Sequence, residues 1–227
     1  MSETEMLALR EHQAQRQQRQ AAQSMQRRGL VLEAACRVFA ERGLDGASIR
    51  EIARRAGYTA GAIYSYFDSK EAIHVALLGE SLERLRLAME APRVPRGQHR
   101  AALEARARAW FAFYVAHPQD LDLALLRTHG PEGGAQSLLD ARVLEAMRPC
   151  EQALLSLGLD QEAAVQERTA LLAYGLGLLV LRQVGLPGGE PQAQILFDRY
   201  LAQLLERVGP AMPPATPEAE QGDLFDL

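Results

Sequence analysis

Between Ser48 and Lys70 the chain collects the hydroxyls of Ser48, Thr59, Tyr64, Ser65 and Tyr66 and the ammonium of Lys70, interleaved with small residues such as Ala60 and Gly61. Groups of these types suit recognition of a polyanion. A hydroxyl or ammonium that reaches a phosphate fixes register on a duplex without reading its sequence. Small residues let a helix sit deep in a groove, where Thr59 and Ser65 can meet a thymine methyl or make one hydrogen bond. None of Thr59, Ala60, Gly61 and Ser65 offers the bidentate pairing by which Arg reads guanine or Asn reads adenine, so part of any base preference falls to DNA shape. Patterns that support a reaction are absent: there is no HExxH, no glycine-rich phosphate loop and no Ser-His-Asp or Cys-His arrangement, and the five histidines are scattered. We expect no enzyme, no catalytic residue, no cofactor and no metal ligand.

The elements that position these groups follow from spacing. From Gln26 to Arg42, Val31, Ala35, Val38 and Phe39 recur at three and four residues with Glu33, Arg37 and Glu41 between them, an amphipathic helix stopped at Gly43. Ser48 to Glu51 has the form of a capping box and starts a short helix with Ile49, Ile52 and Ala53 inward. Gly57 can take the left-handed conformation that closes it. Thr59 caps a second helix running to Tyr66, about 12 Å long at 1.5 Å per residue. Asp68 to Glu71 is a further capping box opening a helix through Ile73 and Leu77 towards Met89. Residues 48 to 67 therefore read as a helix-turn-helix, the geometry that places its second helix in the major groove. Because Ile63 and Phe67 already supply a buried face, Tyr64 reads as a surface residue, and Tyr66 stands open between phosphate contact and core.

The totals agree. Leu, Ala, Arg, Glu and Gln dominate over β-branched and aromatic residues, which predicts an all-α fold. Net charge is −4, but residues 1–70 hold eleven Lys or Arg against eight Asp or Glu, and residues 71–227 fourteen against twenty-one. A basic head on an acidic body is the expectation. Cys36 and Cys150 have no partners at ligand spacing, no apolar signal core opens the chain, and the uncharged apolar run Ala170 to Leu181 is too short to cross a bilayer. A soluble cytoplasmic protein with no membrane partner is expected. Residues 1–25 are a disordered or helix-extending basic Gln/Arg arm. Residues 26–90 are the DNA-binding head of three to four helices, and Pro92, Pro95 and Gly97 mark a boundary. Residues 98–208 are a helical bundle with helices at Arg100–Ala116, Leu121–Thr128, Ser137–Leu157 bent at Pro149, Gln161–Val184 and Pro191–Val208. Residues 209–227 form a disordered tail.

Residues 29 to 78, and above all the run GYTAGAIYSYFDSKEAI, resemble the DNA-binding domain of the tetracycline-repressor (TetR) family. The resemblance implies a homodimeric regulator on a palindromic operator of double-stranded DNA, a ligand-released repressor whose carboxy-terminal domain binds a small-molecule effector of unknown identity. By position, Tyr64 and Lys70 would hold phosphates, and Thr59, Ala60, Gly61 and Ser65 would face the groove; Ala60 departs from the longer, often basic residue of many relatives. Ser48 and Tyr66 complete the expected DNA-binding set. In similar proteins the helices carrying Trp110, Phe113, Tyr114, His117, Met147, Cys150 and Tyr174 enclose the ligand pocket, although aromatic residues at helical spacing also suit ordinary core and His117 also suits a helix end. The family's last two helices pair across the dimer, which would make an interface of Leu172, Leu176 and Leu179 with Ile195, Leu201, Leu204 and Leu205. On residues alone, these faces read equally well as monomer core, and Gly175 and Gly177 point to a close helix crossing. The alternative function is an accessory or architectural DNA-binding protein without inducer, tethered to the DNA sliding clamp through Gln221, Leu224 and Phe225 of a clamp-docking-like pentapeptide in which Gly222 replaces the usual Leu.

Overall fold

The computed structural model of the chain describes residues 3–126, 145–185 and 189–208. Among these are nine helices and no strand: α1 (Glu3–Gly46), α2 (Ile49–Ala56), α3 (Ala60–Tyr64), α4 (Lys70–Glu90), α5 (His99–Ala116), α6 (Pro118–Leu125), α7 (Arg148–Ser156), α8 (Gln161–Gln183) and α9 (Gly189–Arg207). The fold is all-α, as the composition requires.

α1 begins far ahead of the expected Gln26. Its side chains at residues 14–27 are exposed, so winding there rests on the helix propensity of Ala, Gln and Arg rather than on burial. The interruption lies where glycine allows it: Gly43 has φ 67, and one more helical stretch follows to Gly46. α4 also starts differently from the expected box. Ser69, not Asp68, caps it, its Oγ accepting from the Ala72 N–H at 3.1 Å.

The chain divides into two compact units, Met1–Leu85 with Ala116–Ala146, and Arg86–Val115 with Met147–Leu227. This corrects the linear boundary expected at Pro92–Gly97. Those residues mark the turn from α4 to α5, whereas the change of packing falls within α4 after Leu85, and α6 joins the amino-terminal unit. The reason is burial: Leu123 of α6 lies in the core formed by Val31, Val38, Phe39, Ile52, Ile63 and Ile73. Its carbonyl oxygen accepts from Nε2 of the buried His74 at 2.9 Å. Buried Asp120 is held by Arg84 at 2.5 Å, which keeps the carboxylate from being an unpaired charge.

In the second unit the core is aromatic. Phe111 and Phe197 stack at 4.2 Å, and Trp110 lies so close over Gly175 that a Cβ there would sit 2.4 Å from its ring. Pro149 stands in the first turn of α7. It follows a break at Met147, with Glu145 and Ala146 helical before it, and its missing N–H is one that a first turn leaves unpaired anyway; residues 137–144 of the expected bent helix lie outside the described residues. Asp160 caps α8, accepting from the Ala163 N–H at 2.8 Å. Arg168 of α8 is buried and paired with Glu151 of α7, and Tyr174 and Tyr200 stack α8 on α9 at 4.3 Å. Among the described helices, α8 alone is long and apolar enough to cross a membrane, at mean hydropathy 1.2; it packs on both α7 and α9.

Candidate nucleic-acid interface

The two short helices of the head are closed by their own side chains. Ser48 Oγ accepts from the Glu51 N–H at 3.3 Å and starts α2. The return arm of the expected box is missing, because the Glu51 carboxylate instead pairs with Arg42 Nη2 at 2.9 Å. α2 buries Ile52 and Ala53 and ends at Gly57, whose φ of 76 reverses the chain. Thr59 then accepts from the Ala62 N–H at 3.2 Å, and α3 runs to Tyr64. At five residues α3 is shorter than the expected span to Tyr66. The chain stays wound beyond it, since the Tyr66 and Phe67 N–H groups both donate to Ile63 O, at 2.9 and 3.0 Å.

Ile63 and Phe67 are buried and hold this segment on the head's core. Thr59, Gly61, Tyr64 and Ser65 turn outward, Tyr64 keeping 55% of its surface exposed. The hydroxyls are left with different capacities. Thr59 accepts the cap bond and retains its proton for donation, whereas Ser65 donates to Ala62 O at 2.7 Å and retains lone pairs for acceptance. Tyr64 is bound to neither, so its phenol is free to donate to a phosphate.

Other predicted residues stand elsewhere. Ala60 and Tyr66 are half-buried and pack against the core. Lys70 is committed: its ammonium donates to Leu44 O at 2.8 Å, Asp45 O at 3.1 Å and Ala47 O at 3.3 Å. An ammonium has three protons, so the side chain expected on a phosphate instead closes the carbonyl end of α1. The spacing did not single out Arg50. It is exposed on α2, the helix that crosses the backbone in this geometry, and has no hydrogen-bond or ion-pair partner among the described residues. The neighbouring cations are engaged, Arg42 with Glu51 and Arg55 with Glu41 at 2.6 and 2.8 Å. A serine-capped helix preceding the reading helix is the signal that points to Arg50.

In the second unit the expected pocket residues are mostly core. Trp110, Phe113, Tyr114, Met147 and Cys150 are buried, and Tyr174 is half-buried against Tyr200. Burial pushes the Cys150 thiol up to about 12. His117 belongs to the other unit, at the start of α6. A cavity of about 400 Å³ in the second unit is lined by Pro92, Arg96, His99, Arg106, Gln152 and Ser156 among others, and by none of the seven expected residues. The expected dimer face is also corrected. Leu179, Leu201, Leu204 and Leu205 are buried within the chain and Leu172 and Leu176 are half-buried; only Ile195, 60% exposed, points away. Apolar spacing found the inward side of both helices, because the long apolar residues face the monomer core. The outward side carries Ala170, Ala173, Gly177 and Leu181 on α8 and Ile195 and Ala202 on α9. Gln221, Leu224 and Phe225 lie outside the described residues.

Residues 31–77 match the family described as bacterial regulatory proteins, tetR family. The transcriptional activator FasR of Mycolicibacterium smegmatis is 28% identical over 151 residues, 66% of this chain and 67% of its own. The transcriptional repressor KstR2 of Mycobacterium tuberculosis is 45% identical over 67 residues, which is 30% of this chain and 34% of that protein. The match thus spans about a third of the length of KstR2. Among solved structures, FadR of Bacillus subtilis in complex with stearoyl-CoA aligns with TM-score 0.62 at 18% identity, over 78% of this chain and 96% of that one.

Proposed function

Because this chain belongs to the TetR family of bacterial regulatory proteins, we propose that it works as a cytoplasmic homodimer that represses transcription at a palindromic operator and is released by a small-molecule effector. One observation carries it: a glycine turn and two capped helices hold Thr59, Gly61, Tyr64 and Ser65 outward on the buried anchors Ile63 and Phe67. Thr59, Gly61 and Ser65 enter the major groove with few base-specific bonds. Tyr64, Ser48 and Arg50 hold phosphates to either side.

Dimerisation supplies the second head, and half-sites one turn of DNA apart require it. The outward faces of α8 and α9 suit a second copy. Gly177 is exposed with open space where its Cβ would stand, and Leu181 of α8 and Ile195 of α9 expose apolar surface. Effector binding belongs to the second unit by analogy with FadR, which was solved in complex with stearoyl-CoA. A long-chain acyl thioester is the ligand class to try first. Ligand and DNA then weaken each other's binding by one coupling free energy, each favouring its own conformation of the dimer.

Selection of bound duplexes from a random pool tests the reading. A recovered palindrome, lost with Tyr64→Ala at unchanged melting temperature, supports it. A monomer that retains no duplex at low salt refutes it.

A further inference from the structure

Resting on the DNA-binding reading above, we infer that the exposed amino-terminal half of α1 carries a second DNA contact, a basic stripe that lies along duplex phosphates outside the groove entered by α3. No Asp or Glu occurs between Glu11 and Glu33 in a chain holding 29 of them, whereas His12, Arg16, Arg19, Arg27 and Arg28 all fall in that gap. The gap is wound as helix and its side chains at residues 14–27 are exposed. With 3.6 residues per turn, His12, Arg16, Arg19, Gln23 and Arg27 share an arc of about 80°. Ala14, Ala21 and Met25 occupy the opposite side.

Arg28 marks where the stripe joins the head. It donates to Glu80 at 2.9 Å and lies over the Phe67 ring at 5.2 Å, so it is fixed to the same core that anchors α3. Arg16, Arg19 and Arg27 have no carboxylate partner among the described residues. Two arginines elsewhere in the chain, Arg86 with Glu90 and Arg108 with Glu104, are balanced by a carboxylate four residues away on the same helix. A solvated helix without such pairs is held by propensity alone, and a surface of opposite charge stabilises it further.

A duplex fits best. From Arg16 to Arg27 the stripe covers about 16 Å at 1.5 Å per residue, against one phosphate charge per roughly 1.7 Å of duplex axis. Continuity with the head favours DNA as well. A membrane would call for large apolar residues opposite the cations, and alanines with one methionine are a poor substitute.

The test uses the full chain carrying Arg16→Gln, Arg19→Gln and Arg27→Gln together, and a duplex selected from a random pool by the unaltered chain with its flanks retained. The slope of log affinity against log salt should fall by about 2.7 per protomer, roughly 0.9 for each phosphate no longer neutralised. Base preference and melting temperature should stay as they were. Trimming the flanks should weaken the unaltered chain and leave the variant indifferent. An unchanged slope overturns the stripe alone. So does an unchanged slope with loss of binding to phosphatidylserine vesicles, which would assign the stripe to a membrane. Failure of the unaltered chain to recover any duplex overturns the head reading and this one with it.

Discussion

From Ser48 to Phe67 the caps and turns are set within about four residues. Ser48 and Thr59 cap the helices they precede, Gly57 closes the one it follows, and Ser65 binds the carbonyl three residues before it. In α8 and α9 the decisions are taken across the chain: Trp110 determines that Gly175 must lack a side chain, and Phe197 stacks on Phe111. The head presents its polar groups outward on a small local core. The second unit turns its largest residues inward and leaves alanine, glycine and a few aliphatics outside. Surface chemistry is thus written locally in one region, and core packing non-locally in the other.

Adjacent residues in α3 give the largest test of that contrast. Ile63→Ala should cost about 2–5 kcal/mol of stability, the range for emptying a fully buried aliphatic site, and take DNA binding with it because α3 loses its anchor. Tyr64→Phe should leave denaturant midpoints in place and weaken binding alone. Equal melting temperatures for Ile63→Ala and the parent chain would break the assignment of inside and outside. Two glycines of α8 repeat the comparison at smaller scale. Gly175→Ala drives a methyl to 2.4 Å from Trp110, with Phe197 at 3.2 Å behind it. Overpacking of this kind costs about 1–3 kcal/mol. Gly177→Ala meets nothing within 4 Å of its Cβ and should raise monomer stability slightly while loosening the dimer, as read by sedimentation.

The same contrast explains what sequence reading reached. The caps Ser48 and Thr59, the glycine turn, the all-α class and the outward Thr59, Gly61, Tyr64 and Ser65 were legible because each depends on residue type at short spacing, whereas the cap expected at Asp68 falls on Ser69. The inward side of α8 and α9 was legible too, as apolar periodicity. What periodicity lacks is the identity of the covering partner, so Leu179, Leu201, Leu204 and Leu205 read as a dimer face although they serve the chain's own core. Lys70 misled for a related reason: a lysine beside a helix start reads as a phosphate ligand until the carbonyls of Leu44, Asp45 and Ala47 stand around it. Lys70→Met should cost about 1.5 kcal/mol, the scale of hydrogen bonds to a charged group. If Lys70→Met instead keeps full stability and loses only salt-dependent DNA binding, the ammonium serves phosphate after all.

The smallest effect compares the two cysteines and vanishes at neutral pH. Burial raises both thiols, that of half-buried Cys36 and, up to about 12, that of Cys150 in the aromatic core. A thiol raised in the folded state holds its proton after the unfolded chain has released it, so the unfolded state binds fewer protons once pH passes the ordinary thiol range. Stability then falls as pH rises. For Cys150 the loss reaches about 1 kcal/mol by roughly pH 9.5 and continues to grow until the folded thiol ionises near its raised value. Urea midpoints between neutral pH and pH 9.5 should fall for the parent chain and fall less for Cys150→Ala, whose neutral side chain has no proton to release. Alkylation sharpens the point, since a thiol reagent should modify Cys36 in the folded chain and reach Cys150 only on unfolding. Equal alkylation rates, or one pH dependence shared by parent and variant, would mean that the second unit's core admits water and is far looser than the contact of Trp110 with Gly175 implies.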